Sequence, residues 1–364
     1  MMGLPLSFAR AQEPVVPVPG AASAAPVSAS APAHGGVLRI QRLQGRITAS
    51  ELGLVVNLDD PYSVAVGAYY ARQRGIPDAH IAYVHLPVRA SLSPSEFEGL
   101  QAQLKAKLGL EVQALALAWT QPYAVACNSI TGALALGFQA ELCSNGCAAS
   151  KPSPYLSYAG AKPFTDLGLR PSMLLAARSV QAGRALIDRG IAADQSLPGF
   201  APVNAYFVAT ADANRNVRAA LFPPPGKLRA LGVDMRRENQ ATLPPLQRVL
   251  IYQTGLASVP GLDQVDWMPG ALADHLTSFG GQLEPKPEGG QMSALDWLES
   301  GATASYGTVS EPCNHLQKFP QPQLLLFSYV QGLSALEAYW HSVAWPGQGV
   351  FVGEPLAAPF APRF

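Results

Sequence analysis

Short apolar runs alternate with segments of helical spacing along the first part of the folded sequence. Leu52–Val56 is an apolar run of strand length, and the helical spacing of Ser63–Arg74 follows it and ends at Gly75. His80–Leu86 predicts the next strand, and Val112–Trp119 is a continuous apolar run of the kind found in buried parallel strands. This alternation predicts a parallel α/β sheet with Val112–Trp119 as a central strand.

The last third of the chain repeats the alternation. Arg248–Gly255, Trp267–Ser278 and Ala302–Val309 predict strands, and Gln291–Gly301 predicts a helix between the last two. The apolar segment that follows has helical spacing, which Gly332 interrupts. The predicted fold class is therefore α/β, with a mostly parallel sheet flanked by helices.

The chain divides into three parts by composition. Residues 1–12 combine a short apolar stretch with an Ala-x-Ala sequence, and this pattern predicts a truncated signal segment. Residues 13–36 are rich in Pro, Ala and Ser and almost uncharged, so they predict a disordered linker. Residues 37–364 show no composition break and predict a single α/β domain, with a loop-rich insertion around 143–170. A signal-like start followed by a linker favours a periplasmic or secreted protein.

Charge and motifs narrow the classes of partner. The sequence has 25 basic and 25 acidic side chains, and a formal net charge of zero argues against a nucleic-acid partner. No run approaches about 18 apolar residues, so no transmembrane segment is predicted. The sequence has no Gly-rich phosphate loop, G-x-S-x-G elbow or H-E-x-x-H motif, so we expect no cofactor and no metal. An envelope protein or a peptide is the expected partner.

The four cysteines fit an oxidising compartment. Cys143 and Cys147 flank a turn-forming Ser-Asn-Gly, and this spacing favours a small disulfide loop between them. Cys127 and Cys313 would then form a second pair, although the sequence alone leaves all three connectivities open. A zinc site is less favoured, because C-x₃-C is not the usual knuckle spacing and the nearest histidines lie far along the chain.

Polar residues directly follow most of the predicted strands. Because the carboxyl ends of parallel strands share one rim, we expect these residues to gather there. Such a set could do acid–base chemistry, bind a divalent cation through its carboxylates or hold a polar ligand. Structural roles are the alternative, with the Asp59–Pro61 segment as a helix cap and the segment around Asp212 as a capped turn. The candidate ligand-binding residues are Asp59, Asp60, Thr120, Asp212, Gln253, Ser278 and Glu311, and the candidate catalytic residues are His275, Asp274 and Cys313.

Two short motifs resemble a known peptidase family. Gly301–Ala304 and Gly353–Leu356 are similar to segments of the gingipain-type cysteine peptidases, whose fold is caspase-like. That family places a His-Gly after one strand and a cysteine after the next. Here those positions hold Gln253-Thr254 and Asp274-His275, so the resemblance implies the fold without the dyad. The stretch "NLDDPYSVAVGAYYARQRGIP" gives the chain a closer resemblance to a family of uncharacterised bacterial exported proteins with no assigned activity.

Taken together, these features favour a non-peptidase binding or scaffolding protein of the envelope or the extracellular space. Two enzyme alternatives stay open: a hydrolase that uses the rim carboxylates with His275, and a cysteine peptidase that uses Cys313. The adjacent Asp274 and His275 would point to opposite faces of a strand, so they cannot form a dyad with each other. A peptidase would need Cys313 within hydrogen-bond reach of His275, and we expect a separation too large for that.

Overall fold

The computed structural model describes residues 45–197, 201–240, 245–285 and 288–362, and all of them belong to one compact unit, Ile40–Phe364. The predicted signal segment (1–12) and linker (13–36) lie outside the described residues.

Strands supply the frame of the fold. Most of them are largely buried, as expected for strands covered on both faces. The described strands are β1 Leu52–Asn57, β2 Ile81–Val84, β3 Ser91–Leu92, β4 Ala114–Leu117, β5 Ala124–Val125, β6 Asn128–Ser129, β7 Ser172–Leu174, β8 Val203–Val208, β9 Gly226–Leu228, β10 Val233–Glu238, β11 Leu246–Thr254, β12 Val265–His275, β13 Ala304–Thr308 and β14 Gly349–Gly353.

Helices connect many of these strands, and their ends follow local capping chemistry. Ser93 and Glu96 form a capping box at the start of the second helix, and Gly75 ends the first helix with a φ of 65°. The predicted long apolar helix is split at Gly332, whose φ is 97°. The described helices are α1 Pro61–Arg74, α2 Pro94–Lys107, α3 Ile130–Leu136, α4 Glu141–Ser144, α5 Pro163–Leu167, α6 Val180–Ala193, α7 Ala294–Ser300, α8 Pro322–Val330 and α9 Ala335–Trp340.

Eleven strands form one large sheet in the order β2-β1-β4-β7-β14-β13-β12-β11-β8-β10-β9. The first five strands in this order are mutually parallel. The next five, from β13 to β10, are also mutually parallel. Because β13 and β14 pair antiparallel, these two groups run in opposite directions. We call the group β2 to β14 the first half-sheet and the group β13 to β10 the second half-sheet.

Hydrophobic side chains cover both faces of this sheet, which confirms the predicted fold class. Leu54 and Val55, neighbours on β1, belong to different core clusters because successive strand residues face opposite sides. Val66 of α1 packs in the cluster with Leu54, and Phe97 of α2 packs in the cluster with Val55. The predicted central strand is confirmed as well, since β4 lies between β1 and β7 and Trp119 just after it is fully buried.

The cysteine pairing differs from the favoured prediction. Cys143 is bonded to Cys127 and Cys147 to Cys313, each pair with a Cα–Cα distance of 5.1 Å. Cys143 lies in α4, and the turn after that helix separates it from Cys147. The partners come from the β5–β6 turn and from the loop after β13, which tertiary folding brings to α4. The prediction of a Cys143–Cys147 bridge was therefore wrong.

The two disulfides should contribute unequally to stability. They span 16 and 166 residues of sequence, and a crosslink over a longer span removes more conformational entropy from the unfolded chain. This chain-entropy reasoning gives about 3 kcal/mol for Cys127–Cys143 and about 5 kcal/mol for Cys147–Cys313. Urea denaturation should therefore show a larger loss of unfolding free energy in the Cys147→Ser/Cys313→Ser variant than in the Cys127→Ser/Cys143→Ser variant. The opposite ranking would contradict the chain-entropy explanation.

Candidate functional site

A cleft of about 270 Å³ opens at the carboxyl edge of the second half-sheet. Its walls come from the loops that follow β8, β12 and β13, with one residue from the chain before α8. We call it the carboxyl-edge cleft. Its lining residues are Asn214, Arg215, Leu276, Thr277, Ser278, Glu311, Pro312, Cys313, Asn314 and Phe319.

Two close backbone approaches place these loops. A Cβ atom on Gly255, just after β11, would lie 2.0 Å from the carbonyl oxygen of Arg215. A Cβ atom on Gly307 of β13 would lie 2.2 Å from the carbonyl carbon of Gly280. Glycine therefore lets the loop after β8 pack onto the end of β11, and lets the glycine pair after β12 pack onto β13.

Arg215 and Glu311 place opposite charges on the cleft walls. The Arg215 guanidinium donates to Asp212 Oδ2 at 2.9 Å and to Thr277 Oγ1 at 3.0 Å, so it is fixed across the ends of β8 and β12. Partial burial raises the pKa of Asp212, but hydrogen bonds from the backbone N–H and from the guanidinium of Arg215 outweigh it and lower this pKa below its usual range. Glu311 is exposed, and its Oε1 accepts a hydrogen bond of 2.7 Å from the backbone N–H of Cys313.

His275 lies behind the cleft and is 1% exposed. Trp297 Nε1, which can only donate, lies 2.9 Å from His275 Nδ1, so this nitrogen is the acceptor. His275 Nε2 therefore carries the proton and donates it to the carbonyl oxygen of Met292 at 3.1 Å. Burial, with a further contribution from the positive charge of Arg218, lowers the pKa of His275 to about 3. The imidazole is neutral near pH 7, and both of its nitrogens are occupied.

Cys313 lines the cleft but has no thiol, because its sulfur is bonded to that of Cys147. All four cysteines of the chain are in disulfides. The pair proposed for a peptidase thus consists of a disulfide sulfur and a neutral, fully hydrogen-bonded imidazole. Neither has the electronic state that thiolate catalysis requires.

A buried ion pair lies beneath the cleft. Arg218 Nη1 donates to Asp274 Oδ1, and both side chains are 1% exposed. Gln253 Nε2 donates to Asp274 Oδ2 at 2.8 Å, and Tyr339 contacts the same oxygen at 3.4 Å. Arg218 Nη2 also donates to the carbonyl oxygen of Thr254 at 2.8 Å, so this network joins the ends of β11 and β12. Asp274 and Gln253 are therefore buried inside the core and do not line the cleft.

The prediction of one shared rim was wrong, because the two half-sheets run in opposite directions. Asp59, Asp60 and Thr120 follow strands of the first half-sheet and lie at the other edge. Asp60 caps α1 through Tyr62 N at 2.9 Å, and Asp59 contacts His85 Nδ1 at 2.8 Å. The remaining candidates belong to the second half-sheet, where Ser278, Glu311 and Cys313 line the cleft and Asp212 holds Arg215, while Gln253, Asp274 and His275 are buried.

Sequence reasoning missed several side chains of the site. Arg215 and Asn214 belong to the polar stretch after β8, of which Asp212 alone was a candidate ligand-binding residue and a capped turn was the alternative. Arg218 is a single charge in the apolar run "VRAALF", and such an isolated charge was the available signal for a buried ion pair. No pattern in the sequence marked Phe319 as a residue of the site.

The fold is distantly similar to that of gingipain R. The crystal structure of this Arg-specific cysteine proteinase (RgpB) aligns with a TM-score of 0.40 and 12% identity, over 85% of this chain and 78% of that one. The complex of Porphyromonas gingivalis RgpB pro- and mature domains aligns with a TM-score of 0.39 and 12% identity, over 86% and 80%. At this level the similarity concerns the fold and carries no residue roles. No protein-family model matches the sequence, and no curated protein matches it.

The buried His275 should make the fold sensitive to acid. The folded-state pKa of about 3 lies below the ordinary value of about 6.5, so the unfolded chain binds the proton first as the pH falls. The stability contribution is complete above about pH 6.5 and is lost progressively toward pH 3, by about 3 kcal/mol between pH 7 and pH 4.

Urea denaturation at several pH values should therefore show a smaller loss of stability on acidification for His275→Gln than for the unsubstituted protein. His341→Gln is the matched variant, because burial lowers the pKa of His341 to about 4. Its removal should likewise reduce the loss of stability on acidification. An unchanged pH dependence in His275→Gln would contradict the buried neutral imidazole.

The Arg218–Asp274 pair gives a second prediction. Arg218→Met leaves the Asp274 carboxylate buried without its counter-charge, and we expect a loss of about 3–5 kcal/mol in unfolding free energy. In Arg218→Met/Asp274→Asn that uncompensated charge is gone, so the double variant should be more stable than Arg218→Met alone. Urea denaturation measures both. A double variant as unstable as the single one would show that uncompensated charge is not the source of the loss.

Proposed function

We propose that this protein is an exported binding protein that holds a short peptide segment in the carboxyl-edge cleft and does not cleave it. One observation carries the proposal: the cleft is open and polar, yet its cysteine is in a disulfide and the imidazole behind it is buried and neutral. Binding needs only complementary contacts, whereas peptide cleavage by a cysteine dyad needs a thiolate and a base.

The chemistry of the walls fits a peptide. Arg215 offers a guanidinium and Glu311 a carboxylate, while Asn214 and Asn314 have side-chain amides that both donate and accept. Leu276 and Phe319 close the floor of the cleft but are almost fully buried, so the exposed lining is mainly polar. A few fixed polar groups orient a bound ligand, and a volume of about 270 Å³ suits only a short segment.

Export is supported by the two disulfides. Crosslinks that persist in the folded protein are typical of the periplasm and the extracellular space, because cytosolic thiols are kept reduced. None of the described helices is long and apolar enough to cross a membrane.

The hydrolase alternatives have less support from the geometry. His275 uses both ring nitrogens for Trp297 and Met292, so it has no free position at which to activate water. A peptidase built on Cys313 would first require reduction of its bond to Cys147. It would also need a base other than the buried His275.

A peptide-retention experiment tests the proposal. Purified protein is equilibrated with a mixture of random-sequence hexapeptides, and the retained peptides are identified by mass spectrometry after ultrafiltration. We expect a subset to be enriched and recovered intact. The variant Arg215→Gln/Glu311→Gln should reduce this enrichment by about a hundredfold or more, since two charged hydrogen bonds are lost and each contributes about 1.5–3 kcal/mol.

The matched control removes the same two charges elsewhere. Arg72→Gln/Glu98→Gln alters one exposed arginine and one exposed glutamate on α1 and α2 and should retain peptides as the unsubstituted protein does. Absence of enrichment would refute peptide binding. Cleaved peptides in the retained fraction would refute the non-catalytic part of the proposal.

A further inference from the structure

The Cys147–Cys313 disulfide forms part of the wall of the carboxyl-edge cleft. Cys313 lines the cleft and is half-buried, whereas Cys147 is exposed on the segment after α4. The bond therefore ties the cleft wall to a segment 166 residues away in sequence. Because Cys147 is exposed, a thiol reagent in solution can approach this bond.

The wall segment has a backbone conformation that its residues rarely adopt. Cys313 has a φ of 57° and Asn314 a φ of 35°, both in the left-handed region that favours glycine. A non-glycine residue in this region persists where the surrounding structure enforces it. Cys313 is held in this conformation by the disulfide and by the hydrogen bond that its N–H donates to Glu311. Asn314 is held by its side chain, which donates to the carbonyl oxygen of Asn214 at 3.2 Å.

The residues that flank the disulfide are fixed independently of it. Lys318 Nζ donates to the carbonyl oxygen of Gly146 at 2.6 Å and to Gln348 Oε1 at 2.7 Å. Gln348 Nε2 in turn donates to the carbonyl oxygen of Glu311 at 2.9 Å. Residues 146 and 311 would therefore stay in place if the disulfide opened, and the freed backbone would be limited to residues 312–314 and the chain after 146.

We propose that Cys147–Cys313 is a redox-controlled latch on the cleft, an inference that rests on the binding function proposed above. A dithiol reductant attacks one sulfur as a thiolate, the S–S bond breaks, and a mixed disulfide forms. The second thiol of the reductant then displaces the protein sulfur and leaves the reductant as a disulfide. Two electrons and two protons pass to Cys147 and Cys313. The released 312–314 segment leaves its left-handed conformation, and the cleft loses that wall.

The second disulfide provides the matched control. Cys127–Cys143 joins the β5–β6 turn to α4, and neither of its cysteines lines the cleft. Opening this bond removes a crosslink from the same surface segment while Cys313 keeps its partner.

Hydrogen–deuterium exchange tests the latch without any ligand. Cys147→Ser/Cys313→Ser, and the unsubstituted protein treated with dithiothreitol, should exchange the amides of residues 313–315 about tenfold faster than the oxidised protein. Cys127→Ser/Cys143→Ser should exchange them at the oxidised rate. Equal rates in all forms, or an equal increase in the control, would overturn the latch. Circular dichroism establishes that each variant is folded, and the dithiothreitol-treated protein supplies the result if a variant is not.

Peptide retention then separates the two proposals. If the oxidised protein retains hexapeptides, the Cys147→Ser/Cys313→Ser variant should retain about tenfold less and the control variant the same amount. Faster exchange with unchanged retention would overturn control of binding by this disulfide. If the oxidised protein retains no peptide, the binding function fails, and the exchange rates alone decide whether the disulfide holds the wall.

Discussion

The antiparallel pairing of β13 with β14 is the constraint on which the rest of the structure depends. The last strand of the described chain enters the middle of the sheet and pairs parallel with β7 on one side and antiparallel with β13 on the other. Ladder hydrogen bonds fix these directions, so the first and second half-sheets point their carboxyl ends to opposite edges. Polar residues at strand ends are thereby divided into two sets, and the set after β8, β12 and β13 surrounds the carboxyl-edge cleft.

At the carboxyl edge of the second half-sheet, burial decides which polar groups can contact a ligand. The Arg218–Asp274 pair and His275 lie beneath the cleft, where each is matched by a defined hydrogen-bond partner. A buried charge needs its counter-charge, and a buried imidazole is more stable neutral, so these groups hold the strand ends together. The groups exposed in the cleft are side chains suited to contact: a guanidinium, a carboxylate, amides and a hydroxyl. The groups beneath the cleft are thus buried and hydrogen-bonded, whereas those on its walls are exposed and polar. This division underlies the proposal of binding.

Local patterns in the sequence were sufficient for several of the main strands and helices and insufficient for their assembly. The apolar run before Trp119 and the capping residues Ser93 and Gly75 carry their own structural signal, because burial and helix ends depend on nearby residues. Nothing local in "GVFVG" specifies that β14 inserts between β7 and β13. The single rim was expected because this insertion, which reverses the strand direction in the second half-sheet, could not be foreseen. The cysteine pairing escaped prediction for the same reason, since both bonds join segments that only tertiary structure brings together.

The central claim is that the imidazole behind the cleft is a neutral structural group and not a base. ¹⁵N NMR of the His275 ring between about pH 7 and pH 4 tests it directly, because the two ring nitrogens report protonation separately. The structure predicts an unprotonated Nδ1 and a protonated Nε2 throughout this range, since the pKa of His275 is lowered to about 3. A ring that becomes doubly protonated with a midpoint near its ordinary pKa of about 6.5 would contradict the account.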